Sequence, residues 1–377
     1  MDSPRGRLYL MRAVAEGRLA HSDTVTHHLD LCLGCRACET ACPSGVPFGE
    51  LLEATRAQSG RAGRATRRGG LMAIVDRVFP NPAALGMLLA PVKLYQRSGL
   101  QRLVRASGLL GIVPRLAAME ALLPTLPPAT PLPELTPARG TRRGRAGLLT
   151  GCVQRHLYPQ VNRDTARLLS LAGYDVVVPR GQGCCGALDL HAGRLDAFRA
   201  RATELATAFG PDVDFVVTNA AGCGSAMKEC GHWLPESRAA RDLATRTRDV
   251  SEVLIDADLP LRRLDVTVTY HDACHLAHGQ RIRTQPRALL RRIPGLTLVE
   301  LPDSDLCCGS AGVYNLLEPE MADRLLEQKV ARVLETGARI VVAGNPGCLL
   351  QIAKGLRARD PGIEVLHPVE LLARALA

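Results

Sequence analysis

Beyond residue 146 the chain alternates short apolar runs with amphipathic stretches of helical period. The runs fall at 148–150, 176–178, 215–218, 266–270, 298–301, 340–343 and 363–366, and helical stretches between them include 161–172, 190–209, 318–336 and 348–358. Strands alternating with helices predict a mostly parallel sheet arrangement with crossover helices, in which the loops at strand ends carry the chemistry. Upstream, residues 8–56 read as short helices around a tight run of cysteines. Two further apolar pieces, 71–95 and 109–126, are interrupted by Asp76, Pro80, Pro82 and Pro91 and by Pro114, Arg115 and Glu120, so neither is expected to span a bilayer. They read as amphipathic helices packed on the neighbouring domains, with a membrane or partner surface as the alternative. Residues 124–137 read as an extended linker.

An internal repeat is the strongest signal in the pattern. Cys152, Cys184, Cys185 and Cys223 recur as Cys274, Cys307, Cys308 and Cys348, displaced by 122, 123, 123 and 125 residues. Each cysteine follows a predicted strand, so three successive strands of one sheet would bring four thiols to one edge. The expected fold is therefore mixed α+β and α/β: a small helical segment (1–56), a basic helical and linker region (57–145), and two tandem α/β cysteine-rich repeats (146–258 and 259–377) with mostly parallel strands.

The cysteines decide the chemistry. Cys32, Cys35, Cys38 and Cys42, the last followed by Pro43, match the spacing of the bacterial ferredoxin run, in which closely spaced thiolates wrap a 4Fe-4S cube. In two-cluster ferredoxins the fourth cysteine of such a run serves the other cluster. The two Cys-Cys-Gly sets admit three readings: an iron-sulfur cluster, tetrahedral zinc, or a redox thiol pair. Vicinal side chains diverge and suit two irons of a larger cluster better than one small ion, which favours clusters. The glycines at 183, 186, 222, 309 and 347 let the backbone approach sulfide and donate N–H groups to sulfur. Cys230 has no counterpart in the second repeat and is expected to be a buried, idle thiol. His271, His275 and His278 flank Cys274; the first two have helical i, i+4 spacing without the glutamate of a zinc protease, and packing roles are expected for them.

Composition narrows the partners. The 377 residues are 46% hydrophobic and 22% charged, ordinary for a globular chain, while aromatics are only 3%, too few for base-stacking platforms. The net charge of +10 is therefore weak support for nucleic acid, and none is expected as a partner. The charge is also confined: from Arg56 to Arg145 there are fourteen arginines and one lysine against three acids, a local +12. Such a segment suits an acidic partner or an anionic lipid surface. No secretory pattern opens the chain and no dinucleotide fingerprint, P-loop or serine elbow appears, so a cytoplasmic location and a reducing compartment for the thirteen cysteines are expected.

The chain resembles the iron-sulfur subunits of glycolate oxidase (glycolate dehydrogenase), members of the cysteine-rich CCG-domain proteins. The carriers are Pro4-Arg5-Gly6-Arg7, His28 to Cys32, Cys38 to Val46, Gly183 to Ala187, Ala221 to Gly224, and Leu306 to Gly312 followed by Tyr314. The resemblance implies 4Fe-4S clusters, one at the N-terminal motif and one in each CCG repeat, and flavin-binding partner subunits that oxidise glycolate or a similar 2-hydroxy acid. It also implies electron delivery toward a quinone, with peripheral contact at the inner face of the cell membrane. No catalytic residue of its own is expected. Subunits for lactate or glycerol-3-phosphate oxidation, and heterodisulfide-reductase-like thiol chemistry, are the alternatives. Two departures stand out: family members usually carry a further ferredoxin motif upstream, for which a misplaced start is the preferred account, and the fifth cysteine of the heterodisulfide reductases is replaced by Ala220 and Asn345.

Overall fold

Two sheets with the same strand order form the body of the protein. In the first, β1 (Leu135–Thr136), β2 (Gly144–Leu148), β3 (Tyr174–Val177), β4 (Phe215–Thr218) and β5 (Thr247–Asp249) are arranged β1-β3-β2-β4-β5. In the second, β6 (Val266–His271), β7 (Leu296–Glu300), β8 (Ile340–Ala343) and β9 (Glu364–Leu366) are arranged β7-β6-β8-β9. Removing β1 leaves identical topologies, β3-β2-β4-β5 against β7-β6-β8-β9, with every neighbouring pair parallel. The computed structural model describes residues 1–61, 77–79, 81–108, 112, 117, 120, 123–128 and 131–377. Most of the apolar piece 109–126 and the start of the piece 71–95 lie outside them.

The strands form where the sequence supplies buried, β-branched runs. All four residues of β8 are buried, as expected for a parallel strand covered by helices on both faces. Two strands escape the hydrophobic pattern. β5 reads Thr-Arg-Asp and pairs at the sheet edge, burying Thr247 and Asp249 while Arg248 faces solvent. β1 lies within the stretch expected to be linker and pairs antiparallel with β3, Leu135 opposite Val177. The helix expected over 190–209 is two helices, Ala187–His191 and Leu195–Ala208, separated at Gly193. Gly193 has φ +75°, and a Cβ there would collide with the Arg56–Ala57 backbone, which packs directly on it.

The two repeats share one apolar core. Ala146, Leu148, Val161, Leu168, Leu254, Val268, Tyr270, Leu290, Val342 and Leu372 belong to a single buried cluster. Its seam is nearly symmetric. The helix after β2 (Pro159–Leu171) packs on the helix after β9 (Pro368–Arg374), and the helix after β5 (Val250–Leu254) packs on the helix after β6 (Thr284–Arg291).

The N-terminal segment has a small core of its own: Leu10, Met11, Val25, Leu29, Phe48 and Leu52, with Cys32 and Cys38 against it. Its first two helices, Pro4–Ala15 and Asp23–Asp30, start at Ser3 and Ser22, whose hydroxyls accept from Gly6 and Val25 N–H groups. Helix Pro82–Arg97 buries Leu85 and Leu89 against Leu126, Val153 and Leu157. Met87, Leu94, Leu103 and Ile112 remain exposed in this region. No helix among the described residues is long and apolar enough to cross a membrane.

Candidate iron-sulfur centres

In each sheet the chain leaves the first strand, crosses to one side, and then crosses to the other. That order opens a crevice at the carboxyl ends of β2 and β4, and of β6 and β8. The repeated cysteines line those crevices. Cys152 follows β2, Cys184 and Cys185 follow β3, and Cys223 lies in the first turn of helix Ala221–Trp233 after β4. Cys274, Cys307, Cys308 and Cys348 take the same places around β6, β7 and β8.

In the first repeat the thiols form a continuous chain of contacts. Cys152 Sγ lies 3.4 Å from Cys184 Sγ, and Cys185 Sγ lies 3.0 Å from Cys223 Sγ. The second repeat has the same sequence of contacts, Cys274 to Cys307, Cys307 to Cys308, and Cys308 to Cys348. In both, the glycine after the pair takes a left-handed conformation and donates its N–H to the first cysteine: Gly186 N to Cys184 Sγ and Gly309 N to Cys307 Sγ, each 3.4 Å. N–H groups aimed at sulfur stabilise negative charge on it.

Electrostatics identify what these sites lack when empty of metal. Hydrogen bonds from Cys152 and Cys185 hold Cys184 below the ordinary thiol range, while Cys152 and Cys185 are pushed up, by their contacts with Cys184 and by burial. In the second repeat, contact with Cys307 and burial push Cys274 up, and Cys308 is also raised. Four adjoining thiols, three of them buried in each set, cannot ionise together against one another. A polynuclear cation supplies the compensating charge, and an all-sulfur donor set suits soft iron-sulfur or zinc chemistry. The residues present therefore fit a cluster.

The surroundings differ between repeats. Near the first set, Thr150 donates to Gln182 Oε1 through both N (2.8 Å) and Oγ1 (3.2 Å), and Asn219 Nδ2 bridges Asn162 and Thr165, so neutral groups tie the strand ends together. Near the second, Asp272 accepts from Arg287 at 2.8 and 2.6 Å and from Ser304 Oγ at 2.7 Å, and Arg287 also reaches Glu300 at 2.8 Å. The Lys329 ammonium, 1% exposed, donates to the Asp303 and Ser304 carbonyls and acts electrostatically on Cys307, Cys308 and Cys348.

The N-terminal cysteines lie beside the second set. Cys35 is close enough to Cys274 and Cys307 for their charges to act on one another, and burial first of all pushes its thiol up to about 11. Burial likewise pushes Cys38 up to about 11, whereas N–H groups of Val46, Ser44 and Gly45 hold the half-buried Cys42 below the ordinary thiol value. The segment is pinned to both repeats. Arg36, itself at φ +63°, pairs with Glu39 and with Glu229; Thr40 Oγ1 lies 2.9 Å from His278 Nδ1; His191 Nδ1 lies 2.8 Å from Glu53; and Tyr314 Oη donates to the Leu31 carbonyl.

Cys230 is buried, donates its thiol to the Ala240 carbonyl at 3.1 Å, and is pushed up to about 12 by burial, matching its expected idleness. His278 bonds to its surroundings as expected. His271 does not: it is fully buried, neither ring nitrogen has a hydrogen-bond partner, and one of the two lies within 4.8 Å of Cys308 and Cys348 sulfur. Burial, with the Lys329 charge adding to it, pushes its pKa down to about 3. Spacing alone missed it because it ends a strand rather than lying on a helix face.

Three sets of thiols on a short helical segment and two fused α/β repeats define a cysteine-rich, multi-cluster iron-sulfur protein. A cysteine-rich domain model, CCG, matches residues 146–228 and 268–353; a 4Fe-4S binding domain model matches 25–48; and a glycolate oxidase iron-sulfur subunit linker model matches 62–123. The chain is 39% identical, over 99% of its length and 88% of the relative's, to a probable glycolate oxidase iron-sulfur subunit of Bacillus subtilis (strain 168). It is 34% identical, over 100% of its length and 88% of the relative's, to the glycolate oxidase iron-sulfur subunit of Escherichia coli (strain K12). Lactate utilization protein A of Oceanobacillus iheyensis is 29% identical over 60% of this chain and 96% of its own. The chain belongs to the family of glycolate oxidase iron-sulfur subunits, and its cofactors are 4Fe-4S clusters.

Proposed function

We propose that this chain is the electron-carrying subunit of a complex in which flavin-binding partners oxidise glycolate or a similar 2-hydroxy acid, and that it passes the electrons toward a quinone or another acceptor. The observation that carries this reading is the approach of the N-terminal thiols to the second-repeat set, Cys35 lying within electrostatic reach of Cys274 and Cys307. Cys32, Cys35, Cys38 and Cys42 serve an N-terminal cluster; Cys152, Cys184, Cys185 and Cys223 serve the first CCG repeat (146–258); and Cys274, Cys307, Cys308 and Cys348 serve the second (259–377). A 4Fe-4S cluster, when bound, accepts and releases one electron at a time. The residues of this chain hold the sulfurs, exclude water through burial, and set the local charge through Gly186, Gly309 and Lys329. The linker match at 62–123 favours glycolate over lactate as substrate class, since the lactate-utilization relative aligns with only 60% of the chain. The exposed Met87, Leu94 and Leu103, among the basic residues of the same region, form the docking face for a flavin subunit or the inner membrane surface.

Iron and acid-labile sulfide analysis of anaerobically purified protein tests the reading. About twelve irons per chain are expected, falling to about four in the Cys184→Ser, Cys307→Ser double variant. Iron near four in both proteins would remove the repeats from the electron path.

A further inference from the structure

His271 ends β6, one register step from the crevice that holds the second thiol set, and opposite Ala343 on β8. Its burial is complete, yet Nδ1 and Nε2 are both without hydrogen-bond partners. An imidazole carries one obligatory donor and one acceptor, and leaving such groups buried and unpaired costs roughly 1–3 kcal/mol each. Native interiors seldom tolerate this unless the group has another partner. Its neighbours are sulfur: one ring nitrogen, Cys308 Sγ and Cys348 Sγ lie within 4.8 Å of one another. Ligands sharing one ion at 2.0–2.3 Å are held about 3.3–3.8 Å apart, and ligands on adjacent irons somewhat further, so the spacing suits a common centre.

The first repeat supplies an internal control. The displacement that superposes Cys152 on Cys274 places Leu149 where the second repeat has His271, and Leu149 is equally buried, packed in the apolar cluster that includes Cys152, Cys184 and Cys185. The fold therefore accepts an apolar side chain at this place without penalty. A histidine there, without a geometric hydrogen bond and beside two thiols, gains the partner it lacks by binding metal.

The geometry points to His271 as a nitrogen ligand of the second-repeat cluster, one ring nitrogen being placed to donate its lone pair to iron beside Cys308 and Cys348. The first repeat holds its cluster with sulfur alone. This rests on the reading of both repeats as cluster sites. The Ser304 backbone acts on the ring as an acceptor from outside hydrogen-bond geometry, so it would favour the N–H on the nitrogen that does not hold metal. Ligation changes no oxidation state: a neutral imidazole adds a donor bond and releases no proton.

The test uses the full chain, purified anaerobically and reduced with dithionite, carrying Cys184→Ser so that the first repeat contributes no signal. Pulsed EPR on protein grown with ordinary and with 15N-labelled histidine is expected to show a strong hyperfine coupling that changes with the isotope. That coupling should vanish in His271→Leu, the residue the first repeat already uses, and persist in His275→Gln, whose ring lies 3.5 Å from Cys274 sulfur without facing the other thiols. The isotope comparison on His271-containing protein stands even if His271→Leu fails to fold. No isotope-sensitive coupling, or a coupling that survives His271→Leu, overturns the assignment. Iron content separates this failure from failure of the underlying reading: Cys307→Ser lowering iron by about four shows that the cluster exists, whereas unchanged iron overturns the cluster and its ligand together.

Discussion

The two repeats share a strand order and four thiols, but not the medium in which the thiols sit. The first holds them beside neutral amides and hydroxyls at the strand ends, Thr150, Gln182, Asn162 and Asn219, while the Arg155 guanidinium acts on Cys152 and the Asp189-paired Arg201 acts on Cys184. The second surrounds them with a buried carboxylate–guanidinium pair, a buried ammonium and an unpartnered imidazole. Topology thus fixes where sulfur goes, and the residues one position further out differentiate the sites. For two centres in one electron path that is the useful division, because cluster potentials follow local charge, hydrogen bonds to sulfur and exposure.

The sharpest way to break the symmetry is at the residue two positions before the first cysteine of each set. Asp272, 3% exposed at its side chain, pairs with Arg287, 14% exposed; its counterpart is Thr150. Asp272→Ala leaves the Arg287 guanidinium with Glu300 alone and Ser304 without its acceptor, and is expected to destabilise the chain by about 2–3 kcal/mol. Thr150→Val loses the hydroxyl's bonds to Gln182 and from Arg155 and is expected to cost about 1–2 kcal/mol. The Arg287 and Ser304 hydrogen bonds outweigh desolvation and hold the Asp272 carboxyl below its ordinary value of 3.8. A lowered folded-state pKa contributes stability above the unfolded value, lost as pH falls through the folded one. The gap between wild type and Asp272→Ala should therefore be full at pH 7 and shrink below about pH 4, while the Thr150→Val gap should not follow pH. Denaturant unfolding at several pH values measures both; equal costs at pH 7 would mean the charged network does not organise the second site.

The glycines after the cysteine pairs give a smaller contrast. Both are left-handed, so an added Cβ costs about 1–2 kcal/mol at either place. At Gly309 the Cβ would also strike the Ala322 carbonyl oxygen, a backbone atom, whereas at Gly186 it meets Phe198 Cδ2 at 2.8 Å, a ring that can turn. Gly309→Ala is expected to lose more stability and more second-repeat iron than Gly186→Ala loses from the first, read by thermal melts and iron analysis.

Much of this was legible before any coordinates. The displaced cysteines predict the duplicated sheet and the eight repeat thiols at strand ends, since apolar runs alternating with helical stretches and a repeated Cys-Cys-Gly leave few other folds. β5 was not legible, because three polar residues become a strand only by pairing with β4. Gly193 was not, because the break it makes is demanded by Arg56, distant in sequence. Nor was His271: its two neighbours in sequence, His275 and His278, are equally histidine-like, and only burial without a partner separates them. Non-local packing decided each of these.

The smallest effect concerns charge alone. Lys329 is buried in helix Pro319–Glu335 and acts on Cys307, Cys308 and Cys348; Arg201 acts on Cys184 but is partly exposed and already paired with Asp189 at 2.7 Å. Removing a cation makes adding an electron nearby less favourable, so Lys329→Met lowers the midpoint potential of the second-repeat cluster. A shift on the order of 50 mV is expected, about 1 kcal/mol for one electron. Arg201→Gln should move the first-repeat cluster less than half as far, because water and Asp189 already screen that guanidinium. EPR-monitored redox titrations of the two variants read both shifts in the same protein background. Equal shifts would place the two thiol sets in equivalent dielectric surroundings, and a rise on losing Lys329 would show that its ammonium is not oriented toward the sulfurs.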